Sequence, residues 1–236
     1  AQIACGVAPG LARRFAFESS ASAFVLLEAL GRRADVPYAA ALDWGDLSVV
    51  SASPELFLHV EPNGNVDTRP IKGTRPRASS PARDLELRLE LDASEKERAE
   101  LAMVIDLERN DLGKLAEIGS VHVTALPHVV THPTVHHREA RVSAVLRPDV
   151  SRTELLTTML PSGSVTGAPK IRAMDLIAEL EPHRRGLYTG ALGYLAQDGT
   201  LRLSMAIRVL VRRGTETHYF SGGGIVADSR SEEARE

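Results

Sequence analysis

"YTGALGYLAQDGTLRLSMAIRVLVRRGTETHYFSGGGIV", Tyr188–Val226, decides what kind of fold this chain takes. Its short apolar runs are rich in β-branched and aromatic residues, and Asp198-Gly199 marks a hairpin turn between two of them. A second block, "YAAALDWGDLSVVSASPELFLHVEPNGNVDTRP" (38–70), is broken by Gly, Asp, Pro and Asn and reads as a β-meander. "GSVHVTAL" (119–126) and "TVHHREARVSAVL" (134–146) also alternate as strands do. Helical spacing occupies Ser20–Arg33, the long stretch Pro81–Leu115, "SRTELLTTML" (151–160) and "APKIRAMDLIAELE" (168–181), the last with Pro169 near its first position. Strands and helices arrive in blocks rather than in strict alternation, which predicts an α+β fold over a doubly wound one.

The chain has 236 residues, 43% hydrophobic and 25% charged, ordinary for a globular protein, and shows no internal repeat or low-complexity linker. A single domain over 1–236 is expected. The net charge of -3 supplies no field for nucleic acid or anionic membrane, so neither is expected as a partner. One cysteine, Cys5, excludes an internal disulfide framework and fits a reducing compartment. No apolar run is long enough to span a bilayer, and "AQIACGVAPGLARRF" lacks the features of a secretory signal. A cytoplasmic location is the expectation.

Three stretches use residue types that a fold alone does not require. "TRPIKGTRPR" (68–77) reads as a polar loop carrying Lys72 between Ile71 and Gly73. Drawn into an apolar pocket, the amine would be desolvated and nucleophilic; on a turn it would be one more surface charge. In "EKERAE", Glu97 and Glu100 stand three apart on one helix face, and "SEEARE" repeats the spacing with Glu233 and Glu236. Two such pairs on facing helices suit a hard cation such as Mg²⁺, although solvated acidic faces are the commoner meaning of this spacing. "PSGSVTGAPK", with Thr166, leads into a helix, and "SGGGIVADS", with Gly222, Gly223 and Gly224, reads as a glycine-dense turn after a strand. Both can expose backbone N–H donors, and without phosphate-loop spacing they point to a small dianion rather than a nucleotide. Arg208, alone in the strand-like "MAIRVLV", is a natural bidentate carboxylate partner. His136 and His137 are adjacent and so face opposite sides of a strand; one can face a pocket.

Taken together, "RPIKGTRPR", "ERAELAMVIDLERNDLG", "GSVTGAPKIRAMDLIAELEP", "GALGYL", "AIR" and "GGGIVADS" resemble the chorismate-utilising enzymes. That family includes anthranilate synthase component I, aminodeoxychorismate synthase component I, and the isochorismate and salicylate synthases. The resemblance runs from about Leu11 to Glu236. It implies two antiparallel β-sheets packed face to face and flanked by helices, with Mg²⁺-dependent binding of chorismate between them.

"PIKGT" resembles the aminodeoxychorismate synthase branch, where anthranilate synthases usually read "PIAGT", and "SVTGAPK" with Thr166 sits closer to the same branch. This implies that Lys72 attacks C2 of chorismate as the C4 hydroxyl leaves, and that ammonia then displaces the enzyme at C4. The product would be 4-amino-4-deoxychorismate, on the way to p-aminobenzoate. Because nothing in the sequence resembles an amidotransferase nucleophile, ammonia is expected from a glutamine amidotransferase subunit. By position, Glu55 in "SPELF" is the candidate acid for the departing oxygen. The resemblance further implies that Glu100 would be a Mg²⁺ ligand with Glu97 as an outer partner, and that Glu233 and Glu236 would supply the other end of the ion site, Glu236 the closer ligand. Tyr194 and Arg208 match residues binding the enolpyruvyl carboxylate, Gly222 to Gly224 supply backbone donors, His137 lies beside the ring, and Thr74 is the "GT" threonine.

The sequence departs from the family pattern in places. The family begins well upstream of this chain, and its N-terminal portion, with the tryptophan-binding element, and its final helix, whose lysine helps hold substrate, are expected to be missing. Ala8 stands near a position that is usually glutamine, and lysine in the water-adding branches, so water addition is not expected. "REA" after His137 replaces the usual "LVS". Anthranilate synthase component I, or a non-catalytic chorismate-binding homologue, are the alternatives.

Overall fold

A computed structural model describes residues 8–31 and 36–224; Cys5, Glu233 and Glu236 lie outside that range. Two antiparallel sheets organise the described residues. In spatial order, one holds β2 (Tyr38–Asp43), β3 (Leu47–Ser53), β12 (Val209–Arg213), β13 (Glu216–Gly224), β1 (Ala8–Glu18) and β9 (Gly167–Ala168). The other holds β10 (Ala191–Leu195), β11 (Leu201–Met205), β4 (Leu56–Val60), β5 (Asn65–Arg69), β8 (Val135–Val145) and β6 (Ile71–Pro76), with β7 (His122–Thr131) along the far side of β8. The helices are α1 (Ala23–Gly31), α2 (Pro81–Ala93), α3 (Glu95–Gly113), α4 (Arg152–Met159), α5 (Gly163–Thr166) and α6 (Lys170–Leu180).

The chain passes from one sheet to the other between β3 and β4 and again between β11 and β12. These crossings lie side by side: the Met205 N–H donates to the Glu55 carbonyl (3.1 Å) and the Ala52 N–H to the Arg208 carbonyl (3.1 Å). Arg208 takes the corner with φ of 52°, in the left-handed region that costs a non-glycine residue energy. "MAIRVLV" is therefore two strand ends and a corner rather than one strand.

Below the second sheet, Leu101, Ile105 and Leu112 of α3 and Leu155 and Met159 of α4 pack on Phe57, Leu58 and Val142. Full burial of each large side chain contributes roughly 2 kcal/mol. A smaller cluster of Val49, Tyr188, Val209 and Phe220 sits against the first sheet, and Ile207 touches both.

Three expectations are corrected. The single helical stretch from Pro81 to Leu115 is two helices, because Ser94 turns extended and its hydroxyl caps α3 by accepting from the Glu97 N–H (3.4 Å). "SGGG" is the end of β13 rather than a turn; Gly222 to Gly224 pair with Ala12 to Gly10 of β1. "TRPIKGTRPR" is not a loop but the β5–β6 edge of β8, with Pro70 at the join and its carbonyl accepting from the Ala140 N–H (3.2 Å). The Asp198-Gly199 turn is present, Gly199 at φ 90° and Asp198 accepting from the Thr200 N–H.

The charged "HREA" stretch also has a structural reason. His136, His137 and Arg138 of β8 are all buried, since α2 covers one face of the strand and the cleft between the sheets lies on the other. His136 reaches Asp84 of α2 (3.1 Å), and Arg138 donates to the Leu91 carbonyl at the end of α2 and pairs with Asp92 (3.5 Å). A cation at a helix C-terminus is favoured by the exposed carbonyls there. Arg138→Ala is expected to cost about 3 kcal/mol, from lost packing of a fully buried side chain and the loss of its charge-assisted bond at the end of α2. Asp92→Asn, at an exposed partner, should cost under ~1 kcal/mol. Equal thermal midpoints for Arg138→Ala and the parent chain would contradict this.

Candidate active site

A cleft opens between the two sheets beside the crossings. Its floor begins with β6. Between Ile71 and Thr74 the pairing with β8 slips by one residue, and Gly73 adopts φ 88°. Such a bulge re-aims the side chain next to it, and here Lys72 enters the cleft. Only glycine fits: a Cβ at Gly73 would lie 2.8 Å from Leu91 Cδ1 and 2.9 Å from Glu97 Cδ. The Lys72 amine donates to the Ser164 carbonyl at 2.8 Å.

Around the amine stand two carboxyl groups. Glu55, 5% exposed at the first crossing, is raised above the ordinary carboxylate range by burial, against the lowering influence of Lys72. Glu100 of α3 is also raised, again by burial first, with Lys72 and Lys96 opposing and Glu97 adding to the rise. His137 is held down to about 4 by burial and by Arg208 and His132, so its ring is neutral at pH 7. Its Nδ1 is 2.9 Å from the Thr74 hydroxyl. Arg208 faces into the cleft from the second crossing, and Gly222 to Gly224 form part of the wall.

The α5 turn closes the far side. Ser162 accepts from the Ser164 N–H (3.0 Å) and donates to Glu108 Oε1 (2.7 Å), while the Thr166 hydroxyl donates to the Ser162 carbonyl (2.9 Å). Arg185, paired with Glu181, donates to the Val165 carbonyl (3.0 Å). Successive residues of the turn are thus held from α3, from β6 and from the segment after α6.

Of the residues expected from sequence, the cleft brings together Lys72, Glu55, His137, Thr74, Glu100, Arg208, Thr166 and Gly222 to Gly224. Tyr194 is a correction. It sits on the edge strand β10, opposite Arg202, 55% exposed and away from the cleft. Tyr188 lines the cleft instead, 7% exposed and stacked on Phe220 at 5.1 Å between centroids. Nothing local separates the two tyrosines of "YTGALGY"; the choice depends on which one meets β13.

Glu97 is a second correction: it faces β6, where its Oε1 accepts from Arg75 (2.9 Å), and it is not part of the cleft wall. Its Oε2 is buried without a hydrogen-bond partner, and among the described residues no three metal-ligating side chains cluster. Glu233 and Glu236 lie outside the described residues. Sequence reasoning also passed over Glu108, although a glutamate in step with the buried Leu101, Ile105 and Leu112 is a visible anomaly in an apolar stripe.

The comparisons agree with this architecture. Residues 10–236 match the family model described as chorismate binding enzyme. The chain is 42% identical over 222 residues to aminodeoxychorismate synthase component 1 of Salmonella typhimurium, covering 94% of this chain and 49% of the relative. To anthranilate synthase component 1 of Pseudomonas aeruginosa it is 44% identical over 217 residues, covering 92% and 44%. The crystal structure of anthranilate synthase component I from Streptococcus pneumoniae superposes with a TM-score of 0.88 at 36% identity, over 98% of this chain and 52% of that one. The chain thus spans about half the length of these relatives. No helix among the described residues is long and apolar enough to cross a membrane. With the motifs, the two-sheet cleft and these matches in agreement, the chain belongs to the family of chorismate-binding enzymes.

Proposed function

We propose that this chain is the catalytic part of an aminodeoxychorismate synthase component I. The observation that carries the reading is Lys72, an amine aimed into the cleft by a bulge and anchored on the Ser164 carbonyl between two carboxyl groups. With one N–H held on that carbonyl, the amine nitrogen is placed to attack substrate bound in the cleft. Attack at C2 of chorismate would expel the C4 hydroxyl, Glu55 giving it a proton so that it leaves as water. Ammonia, from a glutamine amidotransferase subunit, then bonds to C4 as the Lys72 amine departs from C2. Arg208 pairs with the enolpyruvyl carboxylate, Tyr188 takes the place expected of Tyr194, and neutral His137 with Thr74 borders the ring.

Mg²⁺ fits the donor chemistry at one end. Glu100 is a hard carboxylate on the cleft wall, the oxygen donor type that such a cation takes. Glu100 would hold the ion together with Glu233 and Glu236. When bound, it would hold the ring carboxylate and polarise the ring.

Overall identity does not choose the branch, since relatives of both branches lie at 42% and 44%. Incubation with chorismate, Mg²⁺ and an ammonium salt at mildly alkaline pH tests the reading. A product that keeps the enolpyruvyl group, with an amine in place of a hydroxyl, is expected by mass. Anthranilate with pyruvate release would replace it by anthranilate synthesis, and chorismate binding without turnover by a binding role.

A further inference from the structure

Glu108 is the deepest acidic side chain near the cleft, 1% exposed, and the chemistry above gives it no task. Its Oε1 accepts a single hydrogen bond, from Ser162 at 2.7 Å, and its Oε2 has no partner. Burying a carboxyl group so sparsely satisfied costs stability. An apolar residue in the same stripe of α3 would avoid that cost, so the one bond Glu108 makes is the place to look for its use. Ser162 donates that bond and in turn accepts from the Ser164 N–H. The carbonyl of Ser164 is the acceptor for Lys72. The turn between them cannot float, since a Cβ on Gly163 would lie 2.8 Å from Leu107 of α3, so α5 is seated on the helix that carries Glu108.

We propose that Glu108 is a positioning residue for Lys72: its carboxyl group clamps Ser162, Ser162 sets the α5 turn, and the Ser164 carbonyl of that turn fixes the amine in the cleft. Glu108 touches no substrate in this arrangement. Its own protonation is set by burial, which with Asp111 and Glu55 pushes it up to about 7 against the bond from Ser162 and the charge of Lys170. Either form accepts from Ser162 at one oxygen.

The importance of that position for turnover rests on the reading of Lys72 as nucleophile, but the position itself can be read without substrate. The test compares Glu108→Leu, Ser162→Ala, Glu108→Gln and the Glu108→Leu/Ser162→Ala pair in the whole chain. Lys72 reactivity is followed from pH 6 to 10 by trinitrobenzenesulfonate labelling and peptide mass analysis, alongside kcat and KM for chorismate. Glu108→Leu and Ser162→Ala should each shift the labelling profile of Lys72 and lower kcat by about 10- to 100-fold, as small misplacements of a reacting group do, with KM within about 3-fold. Glu108→Gln, which keeps an oxygen for Ser162, should restore both readouts, and the pair should be no worse than the more damaging single change. Unchanged Lys72 labelling in Glu108→Leu and Ser162→Ala overturns the proposal whatever product the chain makes. A kcat defect with normal labelling overturns it too. Shifted labelling in a chain whose product is anthranilate leaves the positioning role standing and removes only the reading of the reaction.

Discussion

Replacing Lys72 by alanine is expected to lower formation of the 4-amino product at least ~1000-fold, since the step that opens C4 to ammonia loses its nucleophile. Two physical changes accompany the loss. The amine that donates to the Ser164 carbonyl is gone, and the charge opposing the protonation of Glu55 and Glu100 goes with it. Both carboxyl groups should therefore rise further, while the stacked Tyr188–Phe220 wall and Arg208 are untouched. Chorismate binding by calorimetry should survive within about tenfold. With C2 now open to ammonia itself, residual product should shift towards amination at C2, ending in anthranilate and released pyruvate. Measuring both amines by mass in one reaction decides the matter. An unchanged rate of the 4-amino product in Lys72→Ala would falsify covalent catalysis by this lysine.

Glu55→Gln carries the second largest expected effect, a fall in kcat of about 10²–10⁴ with little change in KM, the usual range for a lost general acid. Burial raises the Glu55 carboxyl despite Lys72, which is the direction an acid needs to keep its proton near neutrality. The sign for stability follows. Between its ordinary value and the raised one, folded Glu55 keeps a proton that the unfolded chain has released, so stability falls as pH rises through that interval. The glutamine variant should therefore lose the alkaline limb of kcat and flatten the decline in urea midpoint as pH rises above the ordinary carboxylate value of 4.5. Retention of that limb with normal amplitude would remove Glu55 from the acid role.

Much of this protein could be read along the chain. Periods of 2 and 3.6 are made by neighbours in sequence, so the α+β class, the Asp198-Gly199 turn and the order of blocks after β1 were legible, whereas β1 itself was not read as a strand. The motif residues Lys72, Glu55, Glu100, His137 and Arg208 were legible as candidates, and the cleft does gather them. Where the chain misled, the deciding contact was distant. "TRPIKGTRPR" is polar enough for a loop, yet β8, about 65 residues on in sequence, pairs with it and turns it into a bulged strand. Glu97 and Glu100 share a helix face, but Arg75 claims one and leaves the other to the cleft. The amine of Lys72 meets a carbonyl 92 residues away, and the Ser162 hydroxyl that sets that carbonyl's turn meets a carboxyl 54 residues back. The sequence by itself determined most of the elements, because they follow local patterning, and its residue types and family motifs determined which side chains can do chemistry. Only the tertiary structure decided that Tyr188 rather than Tyr194 faces the cleft, where Lys72 points, and that Glu108 lies behind it, because those choices are made where the chain crosses between two sheets and residues far apart in sequence compete for the same partners.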